Sequence, residues 1–215
     1  MQLELIVGNK NYSSWSLRGW LPLARSGLPF REIVIPMFRE DSARLIAQHS
    51  PSGKVPCLRH GDLVVWDSLA IGEYVAELAP EARLWPADRA ARAVARSACA
   101  EMHSGFAELR NHMTMNLRAS KPGVGHTPEA LADVAQIQAR WRQLREQHGA
   151  GGDFLFGHFT IADAFYAPVV TRFRTYGVSL DPVSARYCEA VEALPEFQRW
   201  RAAAVEEPWR IDKYE

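Results

Sequence analysis

The chain has 215 residues, of which 47% are hydrophobic, and its 25 Lys and Arg residues balance 25 Asp and Glu residues. This length is sufficient for one large or two small domains, and the composition excludes a disordered chain. The zero net charge, without basic stretches interleaved with aromatic residues, argues against a nucleic-acid partner. No apolar stretch approaches the roughly 18 residues needed to cross a bilayer, and no signal peptide is recognisable, so we expect a cytoplasmic protein without membrane partners.

The cysteines and histidines give no indication of a metal centre. Cys57, Cys99 and Cys188 are odd in number and widely spaced, which argues against a disulfide framework. The seven histidines lack metal-ligand spacing to cysteines or carboxylates, and the sequence contains no phosphate-binding glycine motif. We therefore expect neither a metal nor a nucleotide cofactor.

The first part of the chain alternates between strand and helix patterns. Strand patterns cover residues 3–7, 31–35, 57–59 and 63–66, and helix patterns cover residues 14–26, 41–49 and 68–78. The order β-α-β-α-β-β-α predicts a small sheet flanked by helices, with parallel pairing first and a terminal hairpin. We expect this α/β domain to occupy residues 1–79.

Only helix patterns follow the proline-containing stretch 80–88, which we interpret as a linker. The predicted helices cover residues 89–117, 128–148, 160–176, 182–194 and 195–206. The sequence therefore predicts an all-helical domain over residues 89–215, and the fold class is α/β plus all-α.

The segment 11–18 turns from the first predicted strand directly into the first predicted helix. Such a turn presents the first helical N–H groups at one exposed point, where they attract an anion. Ser13 and Ser14 add two hydroxyls that can donate a hydrogen bond to a thiolate. The alternative is that these serines only cap the helix.

Two further segments carry recognisable binding chemistry. Lys54-Val55-Pro56 opens the third strand, where a cis Val55–Pro56 bond would turn the N–H and C=O of Val55 outward to pair with an extended peptide; the alternative is an ordinary trans proline. Asp67-Ser68 begins the third helix, where Ser68 can receive a carboxylate and Asp67 an ammonium group, unless the pair is a plain helix cap.

The topology places these three segments at one end of the sheet. Together they offer thiol stabilisation, pairing to a peptide backbone, and a pocket for a carboxylate with its neighbouring amine. Glutathione has all three features, so the sequence predicts a glutathione site formed by Ser13, Ser14, Lys54, Val55, Pro56, Asp67 and Ser68.

On these residues the chain resembles the glutathione S-transferase family over nearly its whole length. The matching motifs are the turn 12–18, Val55-Pro56, Asp67-Ser68, Leu84-Trp85-Pro86 and the segment 157–163. The resemblance implies a thioredoxin-like first domain, a helical second domain, glutathione as co-substrate between them, and a homodimer. Within 157–163, Thr160 and Asp163 fit an N-capping box whose role in the family is folding rather than catalysis.

The serine turn is most similar to that of the zeta class. On this resemblance Ser13 takes the place of the catalytic serine and Ser14 that of its neighbour, while Trp15 replaces the zeta cysteine. This replacement weakens the prediction of zeta-type isomerase activity, and the lack of any cysteine in the turn argues against omega-type and beta-type thiol chemistry. Asp67 also departs from the family, which usually has Glu or Gln before the pocket serine.

The pocket for an electrophile is predicted on the first long helix of the second domain. Met102, Phe106 and Arg110 share a helical face there, although Met102 and Phe106 are equally well explained by core packing. Trp15 either covers the entrance or fills the domain interface. Two alternatives to a transferase remain open: a glutathione-dependent isomerase of a small unsaturated acid, held by Arg18 and Arg110, and a non-catalytic binding or stress protein.

Overall fold

The computed structural model describes residues 2–215 and shows two structural parts in chain order. The first part contains β1 (Leu3–Val7), α1 (Ser14–Arg25), β2 (Phe30–Val34), α2 (Ser42–Ala47), β3 (Cys57–His60), β4 (Leu63–Trp66) and α3 (Ser68–Leu78). After a 3-10 turn at Pro80–Ala82, the second part contains α4 (Arg89–Ser104), α5 (Ala107–His112), α6 (Pro128–His148), α7 (Ile161–Tyr176), α8 (Pro182–Glu192) and α9 (Pro195–Glu206). A second 3-10 turn covers Asp212–Tyr214.

The sheet has the strand order β2-β1-β3-β4. Strand β1 pairs in parallel with β2, from Leu3 opposite Phe30 to Val7 opposite Val34. It pairs antiparallel with β3, and β3 forms the antiparallel hairpin with β4. The predicted fold class is confirmed: a thioredoxin-like four-stranded mixed sheet with its helices, followed by a helical domain.

Hydrophobic packing joins the two parts. One core cluster includes residues of β1, α1 and α3 together with residues of every long helix of the second part, and a smaller cluster lies between the sheet and α2. Helix α7 is buried on nearly all sides, and α1 packs directly against it. This contact fixes the start of α1 relative to the second part of the chain.

The prediction of one long helix over residues 89–117 is wrong. Helix α4 ends at Ser104, Gly105 has an extended backbone, and Phe106 adopts a left-handed conformation with φ of 58° before α5 begins. The guanidinium of Arg110 donates to the backbone oxygens of Met102 and His103, the latter at 2.9 Å, and so satisfies carbonyls at the end of α4. Arg110 therefore stabilises the break in the helix.

No helix within residues 2–215 is both long and apolar enough to cross a membrane.

Candidate functional site

A cavity of about 590 Å³ lies where the sheet domain meets α4. This first cavity is lined by Ser13, Trp15, Met37, Ile46, Ser52, Gly53, Lys54, Val55, Pro56, Trp66, Asp67, Ser68 and His103. Its volume is in the range of about 300–1,000 Å³ that is common for small-molecule sites. Seven of these lining residues are ones that the sequence analysis selected, from three separate segments of the chain.

Ser13 is the N-cap of α1 and lines the first cavity. Its Oγ accepts from the N–H of Ser16 at 3.3 Å and donates to Ser16 Oγ at 2.8 Å, and Ser16 Oγ accepts from the N–H of Gly8 at 2.9 Å. A hydroxyl both donates and accepts, so rotation of the Ser16 hydroxyl toward Ser13 would free the Ser13 proton for another acceptor. Ser16 thus holds Ser13 in place.

Ser14 occupies a different position. It is the first residue of α1, is half-buried, and lines a second cavity rather than the first. Ser13 lines both cavities, which share only Ser13, Trp15 and Met37. Of the two serines, Ser13 is therefore the one that lies beside the other predicted glutathione-binding residues.

The Val55–Pro56 peptide bond is cis. Within residues 2–215, the backbone N–H and C=O of Val55 have no hydrogen-bond partner, while the neighbouring strand β3 is paired on both sides. Gly19 lets α1 pack closely against Pro56, because a Cβ at residue 19 would lie 2.8 Å from Pro56 Cγ. Lys54 is exposed at the rim of the same cavity.

Asp67 and Ser68 form the start of α3. Asp67 Oδ1 accepts from the N–H of Leu69 at 2.8 Å, and Asp67 itself has a φ of 75°, an unfavourable conformation for a residue with a side chain. Ser68 is 1% exposed, and its Oγ has no hydrogen-bond partner among residues 2–215. An unpaired buried hydroxyl beside a helix N-terminus is suited to receive an anionic ligand group.

The second cavity, of about 200 Å³, adjoins the first. It is lined by Tyr12, Ser13, Ser14, Trp15, Met37, Phe38, Arg110, Thr114, Met115, Arg172, Ile211 and Tyr214. The indole of Trp15 forms part of both walls, and the guanidinium groups of Arg18 and Arg110 lie 4.6 Å and 5.1 Å from its ring centre. Trp15 is thus held between cations at the boundary of the two cavities.

Three arginines in or next to the second cavity have no salt-bridge partner in the described part of the chain. Arg110 and Arg172 line it, and Arg18 lies behind Trp15. Burial lowers the pKa of Arg18 well below its usual value, and the positive charges of Arg110 and Arg172 lower it further. Burial, followed by repulsion from Arg110, lowers the pKa of Arg172 to about 10. A negative charge in this cavity would relieve that repulsion.

Met102 and Phe106 line neither cavity. Met102 is fully buried in the main core, and Phe106 is buried in the same core at the break between α4 and α5. The shared face predicted for these residues and Arg110 does not exist, because it required one continuous helix. The packing alternative describes both residues, and only Arg110 and Trp15 of the predicted electrophile pocket contact a cavity.

The capping box predicted for α7 is present. The N–H of Thr160 donates to Asp163 Oδ2 at 2.7 Å, and the N–H of Leu155 donates to Asp163 Oδ1 at 3.1 Å. Burial raises the pKa of Asp163 to about 6, although the hydrogen bonds from Thr160 and Leu155 oppose this shift. The box lies in the interior and lines neither of the two cavities.

Sequence reasoning missed His103, Ser16 and Arg172. Arg172 had a weak signal, because it follows the apolar run 164–170 of α7, where a charge is unusual for a buried helix. His103 had none, since its position in the cleft depends on how the two parts of the chain pack. Among residues 2–215, no group of three or more His, Cys, Asp or Glu side chains is arranged to hold a metal ion.

A thioredoxin-like domain followed by a helical domain is the arrangement of the glutathione transferase fold, and in this chain a serine caps the first helix. Residues 12–78 match the family described as "Glutathione S-transferase, N-terminal domain", and residues 88–203 match "Glutathione S-transferase, C-terminal domain". The chain belongs to the glutathione S-transferase family.

Several known proteins are similar to this chain over most of their length. "Glutathione S-transferase zeta class" of Euphorbia esula is 29% identical, with 86% of this chain and 84% of that protein covered. "Maleylacetoacetate isomerase" of Rattus norvegicus is 26% identical, with 86% and 85% covered. A solved glutathione transferase homologue from Burkholderia gl BGR1, with bound glutathione, is 25% identical at a TM-score of 0.74, with 96% and 100% covered.

Proposed function

We propose that this protein is a glutathione transferase that ionises the thiol of glutathione and directs it to a small electrophile. The observation that carries this proposal is the convergence of Ser13, Val55–Pro56 and Asp67-Ser68 on one cavity. These residues have free groups that could bind parts of glutathione. Ser68 Oγ and the first N–H groups of α3 could donate to a carboxylate, and the backbone N–H and C=O of Val55 could pair with a peptide backbone.

Ser13 is the proposed thiol-activating residue. A free thiol with a pKa near 8.5 is only a few per cent ionised at neutral pH, and lowering that value by about two units requires about 2.7 kcal/mol. One charge-assisted hydrogen bond supplies roughly 1.5–3 kcal/mol, and the α1 N-terminus adds roughly 0.3–1 kcal/mol. The Ser13 hydroxyl and the helix start together are therefore sufficient.

Calorimetric titration with glutathione tests binding directly. Saturable binding at or below millimolar concentrations is expected, followed by activity against at least one member of a panel of aryl halides, peroxides and maleyl compounds. Lack of saturation at millimolar glutathione would contradict the proposal. Binding without activity on the whole panel would instead favour a non-catalytic binding protein.

An isomerase of a small unsaturated acid is the second candidate function. Arg110 and Arg172 of the second cavity donate to backbone carbonyls but have no salt-bridge partner within residues 2–215, which favours an acidic substrate, and several relatives are named maleylacetoacetate isomerase. Arg110→Gln also removes the donors to Met102 and His103, so its effect is measured as a difference between substrates: KM for a maleyl compound should rise about tenfold more than KM for a neutral aryl halide, the scale of one lost charge-assisted hydrogen bond. Equal effects on both substrates would argue against this alternative.

We also propose that the protein forms a homodimer through the first domain of one subunit and the second domain of the other. Support comes from the family and from the edge strand β4, where Leu63 and Trp66 are large hydrophobic residues that remain 47% and 50% exposed. Light scattering at micromolar concentration should give twice the mass of the chain. A monomeric mass at that concentration would contradict the proposal.

A further inference from the structure

His103 lies in the first cavity, opposite the start of α3. It belongs to the last turn of α4, so it comes from the second part of the chain, whereas Asp67 and Ser68 come from the first. Its Nε2 is 3.4 Å from Asp67 Oδ2. Asp67 Oδ1 accepts from the N–H of Leu69, Oδ2 is the oxygen nearest to His103, and the carboxylate keeps free acceptor positions for a ligand.

Aromatic neighbours fix the orientation of the His103 ring. The ring stacks on Phe165 of α7 with centroids 6.1 Å apart and an interplanar angle of 24°. It also meets Trp15 edge-on with centroids 4.9 Å apart. Packing against Phe165 and Trp15 explains why residue 103 has an aromatic ring, but another aromatic residue could make the same contacts. Packing alone does not explain why a ring nitrogen faces the carboxylate of Asp67.

Two features at the start of α3 indicate that this pair faces a ligand. Asp67 holds its carboxylate in place at the expense of an unfavourable φ of 75°, and such strained residues cluster at binding sites. Ser68 Oγ, beside it in the same cavity, is buried without a partner among residues 2–215. A ligand that bears a cation and an anion on one carbon atom would satisfy both positions.

We propose that His103 completes the γ-glutamyl subsite from the second domain, so that Asp67 accepts from the ligand ammonium group and His103 Nε2 donates to the adjacent α-carboxylate together with Ser68. This inference rests on the proposed function, because it assigns the residues that recognise one end of glutathione. It makes His103 a binding residue and links the two domains through the ligand.

The test compares two ligands on four proteins by calorimetry: the wild type, His103→Phe, His103→Gln and His112→Phe. The ligands are glutathione and 4-aminobutyryl-cysteinylglycine, which keeps the amine and the rest of the tripeptide but lacks the α-carboxylate. The variant His103→Phe keeps an aromatic ring against Phe165 and Trp15 and removes both nitrogens. His112→Phe is the matched control, since His112 Nε2 forms a similar pair with Glu108 at 3.3 Å and lines neither cavity.

His103→Phe should lose about tenfold or more in affinity for glutathione, as expected for a lost hydrogen bond to a charged group, and less than about twofold for the analogue. His103→Gln, which retains a side-chain N–H donor, should recover part of the loss, and His112→Phe should bind both ligands like the wild type. Unchanged glutathione affinity in His103→Phe, or an equal loss for both ligands, would overturn the inference while the proposed function stands. Failure of the wild type to bind glutathione would overturn both.

Discussion

Helices α3 and α7 both have an acidic side chain at their N-terminal end that accepts from the backbone, but the two helix ends differ in which polar groups lack a hydrogen-bond partner. At α7, Asp163 is fully buried and accepts from both Thr160 and Leu155. At α3, the side chain of Asp67 is 45% exposed, and Ser68 Oγ beside it lacks a partner in the described structure. The interior helix start is complete by itself, whereas the cleft helix start has a hydroxyl without a partner in the described structure, and we propose that the first serves stability and the second serves binding.

The sharpest test of this contrast is the removal of the interior carboxylate. Asp163→Ala leaves two buried N–H groups without acceptors, at a cost of about 1–3 kcal/mol each, so the free energy of unfolding should fall by about 2–6 kcal/mol. Urea denaturation of wild type and variant measures the loss. A loss below about 1 kcal/mol would show that the capping box is not what stabilises α7.

The pH dependence of stability offers a second test at the same residue. The pKa of Asp163 is raised to about 6 by burial, whereas an unfolded aspartate titrates near 3.9. The native state therefore binds this proton more tightly than the unfolded state does, and the contribution of Asp163 to stability decreases as pH rises from about 4 to about 6. At 1.36 kcal/mol per pKa unit, this decrease is about 3 kcal/mol at most.

Asp163→Asn has no such titration, so the difference in unfolding free energy between wild type and variant should be largest near pH 4 and shrink toward pH 7. Denaturation curves at several pH values give that difference, in which other titrating groups largely cancel. A difference that stays constant or grows with pH would mean that Asp163 titrates at or below its usual value in the folded protein.

Ser68→Ala addresses the cleft side of the comparison. Because Ser68 Oγ has no partner within residues 2–215, its removal should leave the unfolding free energy unchanged within about 0.5 kcal/mol. The same change should weaken glutathione binding about tenfold, since one hydrogen bond to the ligand carboxylate is lost. Large destabilisation with unchanged affinity would assign Ser68 to folding and remove the distinction between the two helix starts.

Much of the fold could be predicted because its signals are local. The alternation in Leu3–Val7 and the hairpin of β3 and β4 are visible as strand patterns, and the Thr160–Asp163 box is a four-residue motif. The break after Ser104 could not be predicted, because a single glycine is tolerated in a helix pattern. It depends on Arg110, which reaches the released carbonyls only in the folded chain.

The candidate site was predictable only in part for the same reason. Ser13, Pro56 and Ser68 stand next to turns whose chemistry can be recognised in the sequence. His103 is one residue in the last turn of a helix, and its relation to Asp67 exists only after the two domains pack. Met102 was assigned to the cavity by helical spacing, but that spacing does not reveal which face of α4 is covered by α7.

The central claim is that the thiol of bound glutathione is ionised at the start of α1 by Ser13. Ultraviolet thiolate absorbance, titrated on saturated wild-type protein and on Ser13→Ala and Ser14→Ala, measures this directly. We expect the bound thiol to titrate about two units below a free thiol in the wild type and in Ser14→Ala, and at least about one unit higher in Ser13→Ala, with little change in glutathione affinity. A wild-type thiol that titrates near 8.5, or a value unchanged by Ser13→Ala, would contradict the account.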